Sequence, residues 1–106
     1  MTTTVAPKDP VEEVTVLFDF SVATESVVSP SVSATVKWNA TETTIDPNPG
    51  SILFGSPQIS DANPAHVLHK VVGGHDLHDY GLRCVAEADN GDDLLVVMIL
   101  PVRTMP

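Results

Sequence analysis

The sequence predicts an all-β protein, a single antiparallel β-sandwich of immunoglobulin-like type with about seven strands. Three observations lead to this fold class. Several short segments alternate apolar and polar residues with the period of two that half-buried strands require. Turn-forming residues recur at intervals of roughly 8 to 15 residues, as in all-β sandwiches. No segment keeps a helical period over three turns.

The domain organisation follows from the length and from the first residues. A chain of 106 residues is long enough to bury the core of one domain. Residues 1–10 are expected to form an irregular N-terminal arm, because Pro7 and Pro10 exclude helix and interrupt strand pairing. Residues 11–106 are expected to form the sandwich domain.

The first predicted strands carry the clearest alternation. In Val14–Phe20 every second residue is apolar, and these side chains lie on one face. After a break at Ser29-Pro30, Val32–Trp38 alternates again, and its phase directs Trp38 into the core as a large filler. Residues 41–45 are rich in β-branched side chains and predict a short edge strand.

The middle of the chain predicts two further strands. Apolar fragments at Ile52–Phe54 and Pro57–Ile59 are interpreted as one strand interrupted at Gly55, where a bulge or bend fits. A strand over His66–Val72 follows and ends at the Gly73-Gly74 pair.

The C-terminal part predicts a β-hairpin that begins at Tyr80. The Asn90-Gly91 pair is typical of a two-residue type I′ turn, because both of its central residues need a positive φ. The second strand of the hairpin, Leu94–Leu100, is apolar on both faces. It is therefore either buried on both sides or covered on its outer face by another subunit.

Composition excludes several kinds of partner. Five Lys and Arg against 14 Asp and Glu give a net charge of −9, which argues against binding to nucleic acid or to an anionic membrane. The single cysteine, Cys84, excludes an internal disulfide and is expected in the core. The N-terminus has no signal-peptide pattern, so the product is expected to be made and folded in a cytoplasm.

The histidines are the most tempting candidates for chemistry. They form two His-x-x-His pairs, His66 with His69 and His75 with His78. Residues three apart on a strand point to opposite faces, so only the second pair, in a loop, is placed to share an ion. We predict solvated histidines, no metal site and no cofactor. No nucleophile with a base stands at a recognised spacing, so we predict that the protein is not an enzyme.

A spaced set of short motifs, in this order, carries a family resemblance. They are Lys8-Asp9-Pro10, Phe18-Asp19-Phe20, Asp46-Pro47-Asn48-Pro49, Ile52-Leu53 with Gly55-Ser56-Pro57-Gln58-Ile59, Gly73-Gly74, Asp79-Tyr80, Leu82-Arg83-Cys84 and Leu100-Pro101-Val102-Arg103-Thr104. The chain resembles small proteins encoded in the structural gene modules of tailed bacteriophages and prophages. The resemblance implies a virion location and a structural role.

Two functions are compatible with this resemblance. The first is a structural protein that decorates or cements the capsid, or sits at the head-to-tail junction, as a homo-oligomer or bound to the lattice. Its expected partners are capsid, neck or tail proteins. The alternative is a virion-borne binding module that contacts the host surface or its glycans, and scarce outward aromatic side chains argue against it. The predicted partner-contact residues are Leu95, Val97, Ile99, Pro7, Lys8 and Pro10.

Overall fold

The computed structural model describes residues 2–40 and 44–105. These residues form seven strands and one turn of 3-10 helix, and nothing in this part of the chain is a helix long and apolar enough to cross a bilayer. The strands are β1 (Thr2–Thr4), β2 (Val14–Asp19), β3 (Val27–Asn39), β4 (Leu53–Ile59), β5 (His66–Val71), β6 (His78–Ala88) and β7 (Asp93–Val102), and the 3-10 turn is Pro49–Ile52.

Two sheets pack face to face, as the sequence predicted. The four-stranded sheet has the order β1-β7-β6-β3, and the three-stranded sheet has the order β2-β5-β4. All pairings are antiparallel except that of β1 with β7, which is parallel. The alternation in the sequence fills the space between the sheets with apolar side chains. The largest buried ones are Tyr80, Phe18, Phe20, Ile52, Leu82 and Leu100.

The strand order bears on the immunoglobulin-like prediction. If the strands are lettered A to G along the chain, one sheet reads B-E-D and the other A-G-F-C. The constant-type immunoglobulin sandwich places A, B, E and D on one sheet and C, F and G on the other. The present order matches that arrangement in six strands and differs in strand A, which here lies beside G. The immunoglobulin-like classification remains a prediction.

Most predicted strands are confirmed within one or two residues, and β4 has the expected interruption. The β4–β5 pairing shifts register between Phe54 and Gln58, and Gly55 has a φ of +71°. The short edge strand predicted over residues 41–45 is not confirmed. Residues 41–43 lie outside the described residues, and Thr44 and Ile45 are not in a strand.

The prediction that Trp38 is a core residue is wrong. In the β3–β6 pairing Val36 lies opposite Tyr80 and Trp38 lies opposite Asp79, so Lys37 is the extra residue of a β-bulge. A single extra residue reverses the alternation beyond it. Trp38 therefore shares the outer side with Lys37, and 49% of its surface is exposed.

The same strand begins earlier than predicted. Ser29-Pro30 was expected to be a break, but β3 runs through it. The chain accommodates the proline with a second register shift, between Val28 and Ser31, where Ser29 has a φ of +52°. The predicted break is thus a bulge inside one long strand.

The C-terminal hairpin is confirmed, but its predicted turn type is wrong. Gly91 donates its N–H to the carbonyl of Ala88 at 3.0 Å, and Ala88 donates to the carbonyl of Asp92 at 2.7 Å. Gly91 has a φ of +91°, whereas Asn90 is not among the residues of positive φ. The loop is therefore a three-residue connection with glycine at the bulge position, which needs only one residue of positive φ.

The first ten residues are more ordered than the irregular arm that we predicted. Thr2–Thr4 pair with Val97–Ile99 as strand β1. The segment then continues alongside β7, because Val5 donates to the carbonyl of Ile99 and Lys8 donates to that of Pro101, both at 2.9 Å. Proline at positions 7 and 10 limits this pairing to isolated bonds but does not prevent it.

Candidate functional site

One end of the sandwich holds a cluster of polar residues, Asp46, His75, His78 and Tyr80, here called the corner cluster. The side chains of Asp46, His78 and Tyr80 are buried, whereas His75 is exposed and joins through its backbone N–H. The Tyr80 hydroxyl donates to Asp46 Oδ2 at 2.7 Å and accepts from the His75 N–H at 2.8 Å. The Asp46 N–H donates to His78 Nε2 at 3.0 Å, which leaves His78 Nδ1 to donate to the carbonyl of Asp76 at 2.9 Å. The cluster connects two loops, the one that precedes the 3-10 turn and the one between β5 and β6, to the start of β6.

The protonation of this cluster is suited to holding structure. Burial raises the pKa of Tyr80 to about 12. Burial also acts to raise the pKa of Asp46, but hydrogen bonds from Asn48 and Tyr80, with His75 and His78 nearby, lower it overall. A buried, charged carboxylate with several donors is a stable anchor. Neither group is poised to exchange a proton near neutral pH.

The bond from Tyr80 also resembles a known feature of immunoglobulin-like domains. A tyrosine corner has a Tyr near the start of strand F, whose hydroxyl bonds the backbone a few residues upstream. Tyr80 occupies this place, and its partner in the backbone is five residues upstream. The Tyr stands four residues before Cys84 rather than two, and its hydroxyl accepts from the backbone while donating to Asp46.

Lys8, predicted as a partner-contact residue, is buried. Only 1% of its surface is exposed. Its ammonium group donates to the carbonyls of Gly73 at 2.6 Å and Asp9 at 2.9 Å. Burial lowers its pKa, against the opposing effect of Glu12, Asp9 and Glu13. Lys8 therefore fastens the N-terminal segment to the loop after β5 and has no free surface for a partner.

The expectation of solvated histidines is wrong for two of the four. His78 is fully buried and uses both ring nitrogens within the corner cluster. His69 is 3% exposed, and neither ring nitrogen has a hydrogen-bond partner in the described part of the chain. The predicted divergence of His66 and His69 is confirmed, because His66 lies on the outer side, 3.2 Å from Asp19.

Within residues 2–40 and 44–105, no three His, Cys, Asp or Glu side chains are grouped to hold a metal ion. Cys84 is buried, as predicted, and burial raises its pKa to about 11. A buried thiol with a raised pKa has little thiolate at neutral pH.

The predicted contact residues of β7 lie together on the outer side of the four-stranded sheet. Inward side chains of β7 are buried, and Leu95, Val97 and Ile99 point outward. Leu95 is 42% exposed, and the other two are half-buried among their neighbours. No described element of the chain covers this side of β7. Of the two alternatives left by the sequence, burial on both sides is therefore wrong.

Two basic residues stand beside this apolar strip. Lys37 and Arg83, with Ser33, Thr35, Gly81 and Val97, line a shallow hollow of about 140 Å³. The other three basic side chains already have partners or are buried. Lys8 is buried, Lys70 forms an ion pair with Glu13 at 2.9 Å, and Arg103 forms one with Asp79 at 2.8 Å. Lys37 and Arg83 form no ion pair with any described carboxylate.

Gly81 shapes the hollow. A Cβ atom added at this position would lie 2.6 Å from Cε of Lys37 and 2.9 Å from its Cγ. The absence of a side chain thus lets the aliphatic part of Lys37 lie flat across the sheet. We name the surface formed by Lys37, Gly81, Arg83, Leu95 and Val97 the outer face.

Trp38 lies on the same side of the sheet, at one end of the outer face. The Arg103 guanidinium is 5.2 Å from the centre of its ring and holds Asp79 beside it. Sequence reasoning missed Lys37, Arg83 and Trp38 as one surface. Alternation marks Lys37 and Arg83 as outward, but the register that places β3 beside β6 is not visible in the local sequence.

The remaining predicted contact residues are elsewhere. Pro7 is exposed and lines a groove beside β2, and Pro10 is half-buried in the following turn. The two groups of predicted contacts, in the N-terminal segment and on β7, therefore do not form one surface.

The chain has no match among known proteins in three comparisons: no family model fits it, and neither a curated protein nor a solved structure is significantly similar to it.

Proposed function

We propose that this chain is a structural protein of a tailed bacteriophage virion. In this proposal it is a capsid decoration or cement protein or a component of the head-to-tail junction, and it acts by protein–protein contacts in the virion. The phage resemblance of the sequence motifs supports the setting. The observation that carries the mode of action is the outer face, where an exposed apolar strip adjoins two cations without acidic partners.

The chemistry of the outer face suggests what it binds. Burying Leu95 and its neighbours removes apolar surface from water, which is the main driving force of association. Unpaired Lys37 and Arg83 favour a partner that presents carboxylates at the same place. Because the chain carries a net charge of −9, the rest of its surface repels acidic neighbours, and this face is the side that attracts them. Repetition of this contact by the symmetry of a particle turns a modest interface into firm attachment.

The test uses particles assembled without this protein. We expect the wild type to bind them, and Leu95→Asp to weaken binding by about tenfold or more, because a carboxylate buried without a partner costs well over 1.4 kcal/mol. Val97→Asp should weaken binding by a similar factor, because its carboxylate lies opposite Arg83 and takes that cation from the partner. Phe54→Asp is the matched control, since Phe54 is 52% exposed on the other sheet. Melting temperatures establish that all three variants fold.

Two results would contradict the proposal. Normal incorporation of Leu95→Asp and Val97→Asp would remove the outer face as the attachment surface. Loss of binding with Phe54→Asp alone would place the attachment on the three-stranded sheet.

A second function, binding to host glycans, gains one observation from the structure. The sequence predicted almost no outward aromatic side chains, but Trp38 and Phe54 are 49% and 52% exposed. Aromatic faces are what sugars stack against. The two rings lie on the outer sides of different sheets, however, so they cannot grip the same sugar.

This second function has a direct measurement. Trp38 is the single tryptophan of the chain, so its fluorescence reports on any ligand that stacks on it. A saturable change in this fluorescence on titration with polysaccharide from the host surface would favour the glycan function. An unchanged spectrum at saturating polysaccharide would contradict it.

A further inference from the structure

The sandwich has four edge strands, and three of them are poorly suited to pairing with another strand. β1 is only three residues long. β3 contains Pro30 and two register shifts. β4 contains Pro57 and the register shift at Gly55. Short length, proline and bulges are the usual means by which edges avoid pairing with other chains.

The fourth edge, β2, has none of these features. Its six residues pair with β5 in continuous register, without proline, glycine or lysine. Acidic residues flank it, but both are drawn toward the neighbouring strand. Glu13 pairs with Lys70 at 2.9 Å, and Asp19 approaches His66 to 3.2 Å. The middle of the edge is left regular and uncharged.

The backbone of β2 presents free hydrogen-bonding groups at this edge. Phe20 donates to Ala65, so the even-numbered residues of β2 bond toward β5. The N–H and C=O groups of Thr15 and Leu17, and the N–H of Asp19, therefore point away from the sheet. None of them has a partner among the described residues. Thr15, Leu17 and Asp19 are exposed, so water satisfies these groups at present.

A groove lies directly beside this edge. It has a volume of about 360 Å³ and runs between β2 and the segment that follows β1. Apolar residues form most of its wall, among them Val5, Pro7, Val14, Val16 and Leu100. In the constant-type immunoglobulin sandwich, strand A occupies the place next to B. Here β1 lies on the other sheet, and the corresponding place is the groove.

The charge around the groove distinguishes between occupants. Glu12 lines it, and Glu13 and Asp19 stand at the two ends of β2. Lys8 also lines the groove, but its ammonium group is bound to the carbonyls of Gly73 and Asp9. A second copy of this chain carries the same net charge of −9 and would be repelled. A basic segment would be attracted.

We propose that the free edge of β2 binds an extended segment of a partner protein, which adds to the three-stranded sheet as a further strand. Every second side chain of this segment is apolar and enters the groove, and Lys or Arg flanks it near Glu13 and Asp19. Main-chain hydrogen bonds supply affinity, and the groove and the acidic ends supply selectivity, as in other cases of strand addition. The inference does not depend on the outer face or on a virion location.

The probe is an eight-residue peptide that alternates Thr and Val between terminal lysines. It is titrated into the isotopically labelled full chain, and backbone amide shifts are followed. We expect shifts concentrated at Thr15, Leu17 and Asp19 and at least about tenfold slower hydrogen exchange of these three amides, because they become hydrogen-bonded. A peptide with terminal glutamates should bind at least about fivefold more weakly at low salt.

The decisive variant is Leu17→Pro. Its N–H points to the open edge, so proline removes a donor to the incoming strand without removing a bond to β5. We expect at least a tenfold loss of peptide binding, with Thr15→Pro as the second variant if Leu17→Pro does not fold. Slowed exchange in the wild type tests the same contact without any variant.

Three outcomes would overturn the proposal. One is the absence of shifts at β2 at millimolar peptide, and another is equal binding by Leu17→Pro. The third is concentration-dependent dimerisation of the chain through β2 in sedimentation, which would make a second copy the occupant. The particle-binding assay of Leu95→Asp gives its result independently of these three outcomes. A failure of strand addition at β2 can therefore be told apart from a failure of the proposed function.

Discussion

The corner cluster and the outer face use polar groups in opposite ways. In the corner cluster each donor meets an acceptor of the same chain, as in the bonds of Tyr80 with Asp46 and His75. On the outer face, Lys37 and Arg83 have no carboxylate partner among the described residues, and Leu95 is 42% exposed. The difference indicates which polar residues stabilise the fold and which are available to a partner.

This comparison predicts that changes in the corner cluster lower stability, whereas changes on the outer face lower binding. The largest expected effect on stability is that of Tyr80→Phe. The substitution keeps the ring but leaves Asp46 and the His75 N–H short of a partner. A hydrogen bond to a buried charged group contributes about 1.5–3 kcal/mol, and we expect a loss of this size in denaturant unfolding. A loss below about 0.5 kcal/mol would show that the corner cluster does not stabilise the fold.

The hairpin loop tests a second internal contact. Gly91 has a φ of +91° with open space around its Cα, so only backbone conformation opposes a side chain there. Gly91→Val should cost about 1–2 kcal/mol in thermal unfolding, because a β-branched residue resists positive φ. Asn90→Val should cost less, since Asn90 does not have positive φ and loses only its exposed side-chain bonds with Asp92. Equal losses of stability in the two variants would favour the type I′ turn, in which both residues have positive φ.

His69 should make stability depend on pH. Burial lowers its pKa below 6.5, while the nearby backbone of Gly55 acts in the opposite direction. The unfolded chain therefore binds the proton first, so stability is full above about pH 6.5 and falls as the pH drops below it. We expect the melting temperature to fall less between pH 7.5 and 5.5 in His69→Leu than in the wild type. If the melting temperatures of the wild type and His69→Leu fall equally with pH, the pH dependence arises from other groups.

The smallest expected effect on stability belongs to the outer face. Lys37→Gln combined with Arg83→Gln should change the free energy of unfolding by less than about 0.5 kcal/mol, because neither cation has an internal ion pair to lose. The same double variant should bind particles more weakly and with less dependence on salt. A large loss of stability would mean that these cations belong with the corner cluster rather than with a binding surface.

The local sequence was a good guide wherever alternation continued unbroken. It predicted β2, because a period of two over six or more residues is a strong signal. The second strand of the hairpin was recognised instead from its apolar run and from the turn before it. It failed for Trp38, because one inserted residue, Lys37, reverses the phase and nothing in the sequence marks a bulge there. It also failed for Lys8, whose acceptor on Gly73 is 65 residues away along the chain.

The candidate surface was predicted only in part. Leu95, Val97 and Ile99 were found because an apolar strand on both faces is unusual. Lys37 and Arg83 join them only through the register between β3, β6 and β7, which is a property of the whole fold. The free edge of β2 likewise became recognisable only after the order of strands was known.

The most direct test of the central claim is a count of bound copies on purified phage heads assembled without this protein. We predict saturable binding at a copy number that matches a symmetric position. Hundreds of copies per head would indicate decoration or cement, and about a dozen would indicate the neck or tail. Absence of binding at saturating protein, with a folded sample, would contradict the claim that the outer face attaches this chain to a virion.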